Sequence, residues 1–235
     1  MSYRHCIFDM DKTVTPARSP IAPEMRTLLR DIPATITIVS GGTAERIRAQ
    51  TEDVAAYILG ACGNEAFDHT GGTLWQNEPL TETEKAAIHE HIASLITLVG
   101  HELRDEWTPI EDRGTQITFS PLGNTAPTEL KHRYDPDMQK RLTWLKAAPF
   151  VHPRLSVVIG GSTSLDYYRT GYDKGAHVAK LIEHHGWNPR ECVYFGDGLY
   201  PGGNDESVIG VIDTIAVDSP EDTAQHLQHL FSVTP

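Results

Sequence analysis

Short apolar runs alternate with amphipathic stretches through the first third of the chain. Residues 4–9 are apolar from Cys6 to Phe8 and predict a strand. Residues 23–30 predict a short helix with Pro23 in its first turn. The β-branched run 35–39 predicts a second strand, 44–50 a helix and 57–59 a third strand. Turn residues after each strand predict an open parallel α/β sheet. Residues 65–69 and 73–76, joined around Gly71-Gly72, predict a β-hairpin. From Leu80 the pattern changes. Residues 81–99 predict one long helix, opened by Thr81 with Glu84 three residues on, a capping box. Strands are expected at 109–112, 116–121, 155–159 and 162–168, the last two flanking Gly160-Gly161, with a second helix at 137–146 among them. Alternation resumes with a helix at 174–185, a strand at 192–195, a strand at 214–217 and a helix at 220–231. The fold class expected is therefore α/β, a doubly wound parallel sheet formed by 1–80 and 170–235, interrupted by an α+β cap domain at 81–169.

Composition narrows the function. The chain has 235 residues, 39% hydrophobic and 22% charged, as in an ordinary soluble globular protein. A net charge of −12 argues against nucleic-acid or anionic-membrane partners. No apolar run approaches a membrane span, and the N-terminus enters a strand at once, so a cytoplasmic protein without a signal peptide is expected. Three scattered cysteines without CxxC fit reduced thiols, and none of the twelve histidines falls in a metal-binding spacing.

The chemistry sits where strands end. Strand one runs into Asp9-Met10-Asp11-Lys12-Thr13, and two carboxylates that close together need a cation, since bare like charges at ~4 Å repel by ~4 kcal/mol at an effective dielectric of ~20. Ser40-Gly41 follows strand two, Lys174 opens a helix, and Gly196-Asp197 follows a later strand. Ligands bind at the carboxyl ends of the strands of such a sheet, which would gather these groups. Their types suit phosphoryl transfer. Asp9 is the expected nucleophile, forming an aspartyl-phosphate. Asp11 is the expected acid and base. Thr13, Ser40 and the Gly41 amide would bind phosphate oxygens, and Lys174 would offset charge. Mg²⁺ is expected on Asp9, Asp11 (through its carbonyl) and Asp197, with Asn204 and Asp205 outside them, Asp205 orienting Lys174 or a metal-bound water. Each residue also has a structural alternative: Ser40 as a helix cap, Lys174 as a surface lysine, Asp197-Gly198 as a simple turn.

These segments resemble the four motifs of the haloacid dehalogenase superfamily, and the insert resembles its larger α+β cap. Thr13-Val14-Thr15-Pro16-Ala17-Arg18, Glu111-Asp112-Arg113, Phe119-Ser120-Pro121-Leu122-Gly123, Ser164-Leu165-Asp166 and Pro201-Gly202-Gly203-Asn204-Asp205 resemble one branch in particular, the eukaryotic-type phosphomannomutases. The resemblance implies that the cap selects a sugar phosphate. It makes Arg18 and Arg113 phosphate or hexose ligands and Ser164 and Asp166 contacts to the sugar. Arg113 has an alternative as an ion-pair partner of Glu111 or Asp112. The chain departs from that branch at Lys12, where the family has Gly, and at Asn124, where it has Arg; Lys131 and Arg133 stand near a third cap arginine. The lost arginine tips the expectation toward a phosphatase, with a phosphohexomutase as the alternative and a non-catalytic phosphate-binding signalling module as a reading of another class. Trp107, Trp144 and the 81–99 helix are expected to build a cap core, with a homodimer through the cap as the alternative.

Overall fold

The computed structural model describes residues 3–17 and 19–233. In chain order the elements are β1 (His5–Asp9), α1 (Pro23–Asp31), β2 (Thr35–Val39), α2 (Ala44–Thr51), β3 (Tyr57–Gly60), β4 (Glu65–Asp68), β5 (Thr73–Gln76), α3 (Glu82–Val99), β6 (Ile110–Asp112), β7 (Gln116–Phe119), α4 (Thr128–Tyr134), α5 (Gln139–Ala147), β8 (Leu155–Gly160), β9 (Ser164–Arg169), α6 (Lys174–His185), β10 (Cys192–Gly196), β11 (Asp213–Ala216) and α7 (Pro220–Phe231). The chain divides into two compact units, one of residues 1–77, 172–201 and 205–235, the other of 78–171 with 202–204.

The first unit is built on a seven-stranded sheet ordered β11-β10-β1-β2-β3-β4-β5. The five strands from β11 to β3 are parallel, and β3-β4-β5 run antiparallel as the expected hairpin extension. Because the parallel strands are covered on both faces, their sequences are apolar at successive positions rather than alternating. Cys6 and Phe8 join the core with Met25, Leu29, Ile47 and Leu227 of α1, α2 and α7. Ile7 points the other way, into a core with Val178, Leu181 and Ile182 of α6. From β1 the chain winds one way through β2 and β3, and later the other way through β10 and β11. Strand order therefore reverses between β1 and β10, and a ligand crevice forms at the carboxyl ends of strands at such a point. Asp9 ends β1 and Asp197 follows β10.

The second unit packs helices on one face of an antiparallel sheet ordered β6-β7-β9-β8. Ile117, Phe119, Leu165 and Tyr167 turn to a core with Ile88, Ile92 and Leu95 of α3 and Trp144 of α5. The alternate residues, Thr118 and Asp166 among them, occupy the other face of the sheet. The unit holds three helices rather than the two read from its sequence. The extra one, α4, is seven residues long, follows Pro127, and its buried residue is Lys131, so no apolar stripe announces it.

The capping box at α3 forms as expected, with the Thr81 side chain accepting from the Glu84 amide and the Glu84 side chain accepting from the Thr81 amide. Glu84 also takes a two-pronged guanidinium contact, from Arg169 Nε at 3.0 Å and Nη2 at 2.7 Å. Its side chain is 2% exposed. The Arg169 contact holds its carboxyl far below the usual range, at about 2, against burial and with help from Thr81. A carboxyl depressed in the fold stabilises it fully above the unfolded value and loses that contribution as pH falls through the folded one. Cap stability is thus expected to drop between about pH 4.5 and pH 2 by on the order of 3 kcal/mol. Glu84→Gln should flatten that slope in acid denaturation followed by near-UV circular dichroism; an unchanged slope would refute the assignment.

Candidate active site

Three loops and one helix start bring charged side chains together in the first unit. Asp9, 4% exposed, closes β1. Lys174 opens α6 under the Asp173 cap, whose side chain accepts from the Ala176 amide. Lys174 is 2% exposed and is no surface lysine. Its Nζ donates to Asp9 Oδ1 and, at 2.6 Å, to Asp205 Oδ1. Burial works against the ammonium, but Asp205 and Asp9 hold its proton on, so its pKa lies well above the ordinary lysine value. Asp205 is fixed on three sides: Tyr194 Oη donates to its Oδ1 at 2.7 Å, the Gly198 amide to its Oδ2 at 3.0 Å, and Lys174 as above. A side chain at Gly196 would meet Asp205 Oδ2 at 2.4 Å, so the strand end needs glycine for this approach.

Asp197 completes the cluster. Carboxylate oxygens of Asp9, Asp197 and Asp205 all lie within 4.8 Å of one another. Burial raises the Asp9 carboxyl well above its usual range, Asp205 and Asp197 raise it further, and Lys174 opposes them. Burial and Asp205 also raise Asp197, against Lys12, whose Nζ stands 3.6 Å from Asp197 Oδ2. Lys12 takes a left-handed backbone, φ 65°, a conformation that favours glycine. Three carboxylates against two ammonium groups leave the cluster about one charge negative. Oxygen-only, anionic donors with a charge deficit are the chemistry of a hard divalent cation, and these residues fit one.

The other expected residues are distributed as follows. The Asp11 carboxylate is turned to Arg46 of α2, at 2.8 Å, and stands outside the three-carboxylate group, where Asp205 takes the third place. Arg46 and Tyr194 were not read from the sequence; a tyrosine inside an apolar strand does signal a hydroxyl that needs a partner. Thr13 is fully buried and its Oγ1 has no hydrogen-bond partner among the described residues, so a polar donor stands ready for a ligand oxygen. Ser40 is buried just beyond β2, and its Oγ accepts from the Gly42 amide at 3.2 Å, which leaves its proton to donate. Thr43 rather than Ser40 caps α2. Gly41 lies partly buried between Ser40 and Gly42. Asn204 is exposed, in the loop ahead of Asp205. Arg18 lies outside the described residues.

In the second unit, Arg113 pairs with Glu111 Oε2 at 2.8 Å. Asp166 accepts from Thr118 Oγ1 at 2.8 Å; burial raises its carboxyl while Arg113 and Thr118 pull it down. Ser164 Oγ donates to Gly160 O at 2.6 Å. Arg113, Thr118 and Asp166 thus make one electrostatic neighbourhood. Lys131 is buried on Asn124, donating to its carbonyl at 2.7 Å, and Arg133 is exposed.

A doubly wound sheet with acidic strand ends, a buried lysine and a mixed α+β insert defines a haloacid dehalogenase-like phosphoryl-transfer enzyme. Solved structures agree on the fold. An IMP-nucleotidase of Plasmodium falciparum superposes with a TM-score of 0.69 over 99% of this chain and 69% of that chain at 16% identity. A haloacid dehalogenase-like hydrolase of Bacteroides thetaiotaomicron gives 0.62 over 98% of this chain and 100% of that one at 14% identity. The model of the eukaryotic phosphomannomutase family matches residues 29–233, and the chain belongs to that family. Relatives include a probable phosphomannomutase of Caenorhabditis elegans, 27% identical over 95% of this chain and 94% of the relative. A phosphomannomutase of Glycine max is 28% identical over 96% and 95%.

Proposed function

We propose that this chain is a Mg²⁺-dependent phosphohexomutase that moves a phosphoryl group between hydroxyls of a hexose phosphate through Asp9. The observation that carries the reading is the buried ammonium of Lys174 bridging Asp9 and Asp205 beside Asp197. The family match and the phosphomannomutase relatives favour transfer to a sugar over the hydrolysis expected from the missing cap arginine.

Asp9, Asp197 and Asp205 would hold the cation, which supplies positive charge against the phosphoryl oxygens. With it the cluster changes from about one negative charge to about one positive, which suits a phosphate. Asp9 attacks phosphorus through its free carboxylate oxygen, the other being held by Lys174. The P–O bond to the donor breaks as Asp11 gives the leaving oxygen a proton, and Asp11 takes a proton from the accepting hydroxyl in the return step. For either transfer Asp11 must leave Arg46. Thr13 and Ser40 donate to phosphoryl oxygens. Arg113, Ser164 and Asp166 bind the sugar and its second phosphate, with Arg113 exchanging Glu111 for an anionic ligand.

The test is to supply mannose 1-phosphate, a hexose bisphosphate and Mg²⁺ and to follow both isomer and free phosphate. Isomer formation well ahead of phosphate release is expected. Phosphate release from the same esters without isomer would make the chain a hydrolase.

A further inference from the structure

His177 lies one turn beyond Lys174 on α6 and is 3% exposed. Its Nδ1 stands 2.9 Å from Cys62 O, and its Nε2 stands 2.9 Å from Asn77 Nδ2. A carbonyl can only accept, so Nδ1 carries the proton and neutral Nε2 accepts the Asn77 amide. The polarity is locked further along. Asn77 Nδ2 also donates to Asn64 Oδ1 at 3.2 Å, and Asn77 Oδ1 accepts from Lys180 at 3.3 Å. The Tyr172 ring meets His177 edge-on, centroids 5.8 Å apart. Asn77 is the last residue of the first unit before the chain leaves it, and Tyr172 is the first on return. One imidazole therefore touches the chain at each end of the 78–171 insert.

The same imidazole reaches the expected phosphate loop. Cys62 donates its amide to Ser40 O at 2.8 Å while its own carbonyl accepts from His177. Ala61 and Cys62 both take left-handed backbones, φ 48° and 58°, which side chains disfavour and which persist only where surroundings impose them. A side chain at Gly63 would lie 2.3 Å from His177 Cβ, so the turn is moulded onto this residue.

We infer that His177 is a positioning residue: as a neutral imidazole it ties the strained turn 61–63, and with it Ser40, to the helix that carries Lys174, and it clamps Asn77 and Tyr172, which flank the 78–171 insert. The inference rests on the roles proposed above for Ser40 and Lys174. Protonated Nε2 no longer accepts, and Asn77 cannot turn its oxygen toward it without forfeiting Lys180 and Asn64. The ionisable groups around the ring are Lys180 and Asp173 on α6, Tyr172 before it and the Cys62 thiol in the turn. Burial, opposed by the Cys62 carbonyl and more weakly by Asp173 and aided by Lys180, keeps its pKa below the usual imidazole value. The clamp is therefore intact at neutral pH and opens in mild acid.

The test combines hydrogen exchange with kinetics. In the wild-type protein, amides of 61–64, 77 and 172–174 should exchange faster as pH falls below about 6.5, after correction for the intrinsic rate, while β1 and β10 stay protected. His177→Gln keeps one donor and one acceptor, so it should retain activity and lose this acid transition. His177→Phe keeps the bulk alone and should lower kcat about ten- to a hundredfold with KM within about twofold. A wild-type exchange profile without the transition, or the same transition in His177→Gln, overturns the inference. The exchange arm needs no substrate, so it fails or succeeds apart from the choice of reaction.

Discussion

Lys174→Met is expected to cost about 3–5 kcal/mol of stability and to reduce turnover by at least about a thousandfold. The substitution keeps the length and removes the ammonium, leaving Asp9 and Asp205 buried against each other and against Asp197. Removing one partner of a buried pair is strongly destabilising because the remaining charge has no counterion. Mg²⁺ should restore part of the lost stability, since the cation would meet the exposed charge deficit. Adding Asp205→Asn to Lys174→Met should recover stability without recovering turnover. Urea denaturation with and without Mg²⁺, alongside initial rates, checks all three. Wild-type stability for the single variant would mean that the two carboxylates are protonated or solvated, and the charge account would fail.

The second large effect is expected in the other unit. Arg141 and Asp135 are each 1% exposed and pair at 2.8 Å. The guanidinium Nη1 also donates to Gly160 O at 2.9 Å and Gly161 O at 3.0 Å, at the turn of the β8–β9 hairpin that presents Ser164 and Asp166. Arg141→Met should leave the buried Asp135 charge unpaired and take a donor from four carbonyls, since Ser164 O at 3.4 Å and Asp135 O at 3.3 Å are also bonded, at about 3–5 kcal/mol. Hydrogen exchange should then rise across residues 135–169 and little in β1 and β10. The double change Arg141→Met with Asp135→Leu should be markedly more stable than the single, because an apolar replacement leaves no unpaired charge. Equal stability of single and double variants would contradict this.

The Lys174 contacts with Asp9 and Asp205 were expected from the sequence, but the Arg141–Asp135 pair was not visible there. An arginine on a short helix reads as a solvated charge, and its partners at 135 and 160–164 are joined only by the tertiary fold. Arg46 escaped for the same reason, and so did the meeting of Lys12 with Asp197. What sequence carries well is local. The helices at 174–185 and 220–231 begin and end where their caps and apolar spacing put them, and the Thr81–Glu84 box starts α3. The parallel sheet follows from apolar runs that end in polar residues, because only strands covered on both faces have that texture. The strand-end rule brought Asp9, Lys174 and Asp197 into one neighbourhood, yet it could not orient their side chains. Asp205 meets Lys174 as expected and also stands within 4.8 Å of Asp9 and Asp197, while the Asp11 carboxylate, expected to meet the cation only through its carbonyl, turns to Arg46. The rule fixes which edge of the sheet a residue occupies; side-chain direction depends on neighbours such as Arg46 and Tyr194 that no motif names.

Asp9 is expected to carry the phosphoryl group during turnover. Borohydride reduces an acyl phosphate to the alcohol, so protein quenched with borohydride during turnover with a hexose bisphosphate records where the group sat. Peptide mass spectrometry should find homoserine at position 9, dependent on substrate and on Mg²⁺, and none at position 11. Homoserine at another aspartate, or turnover with residue 9 unmodified throughout, would contradict the account.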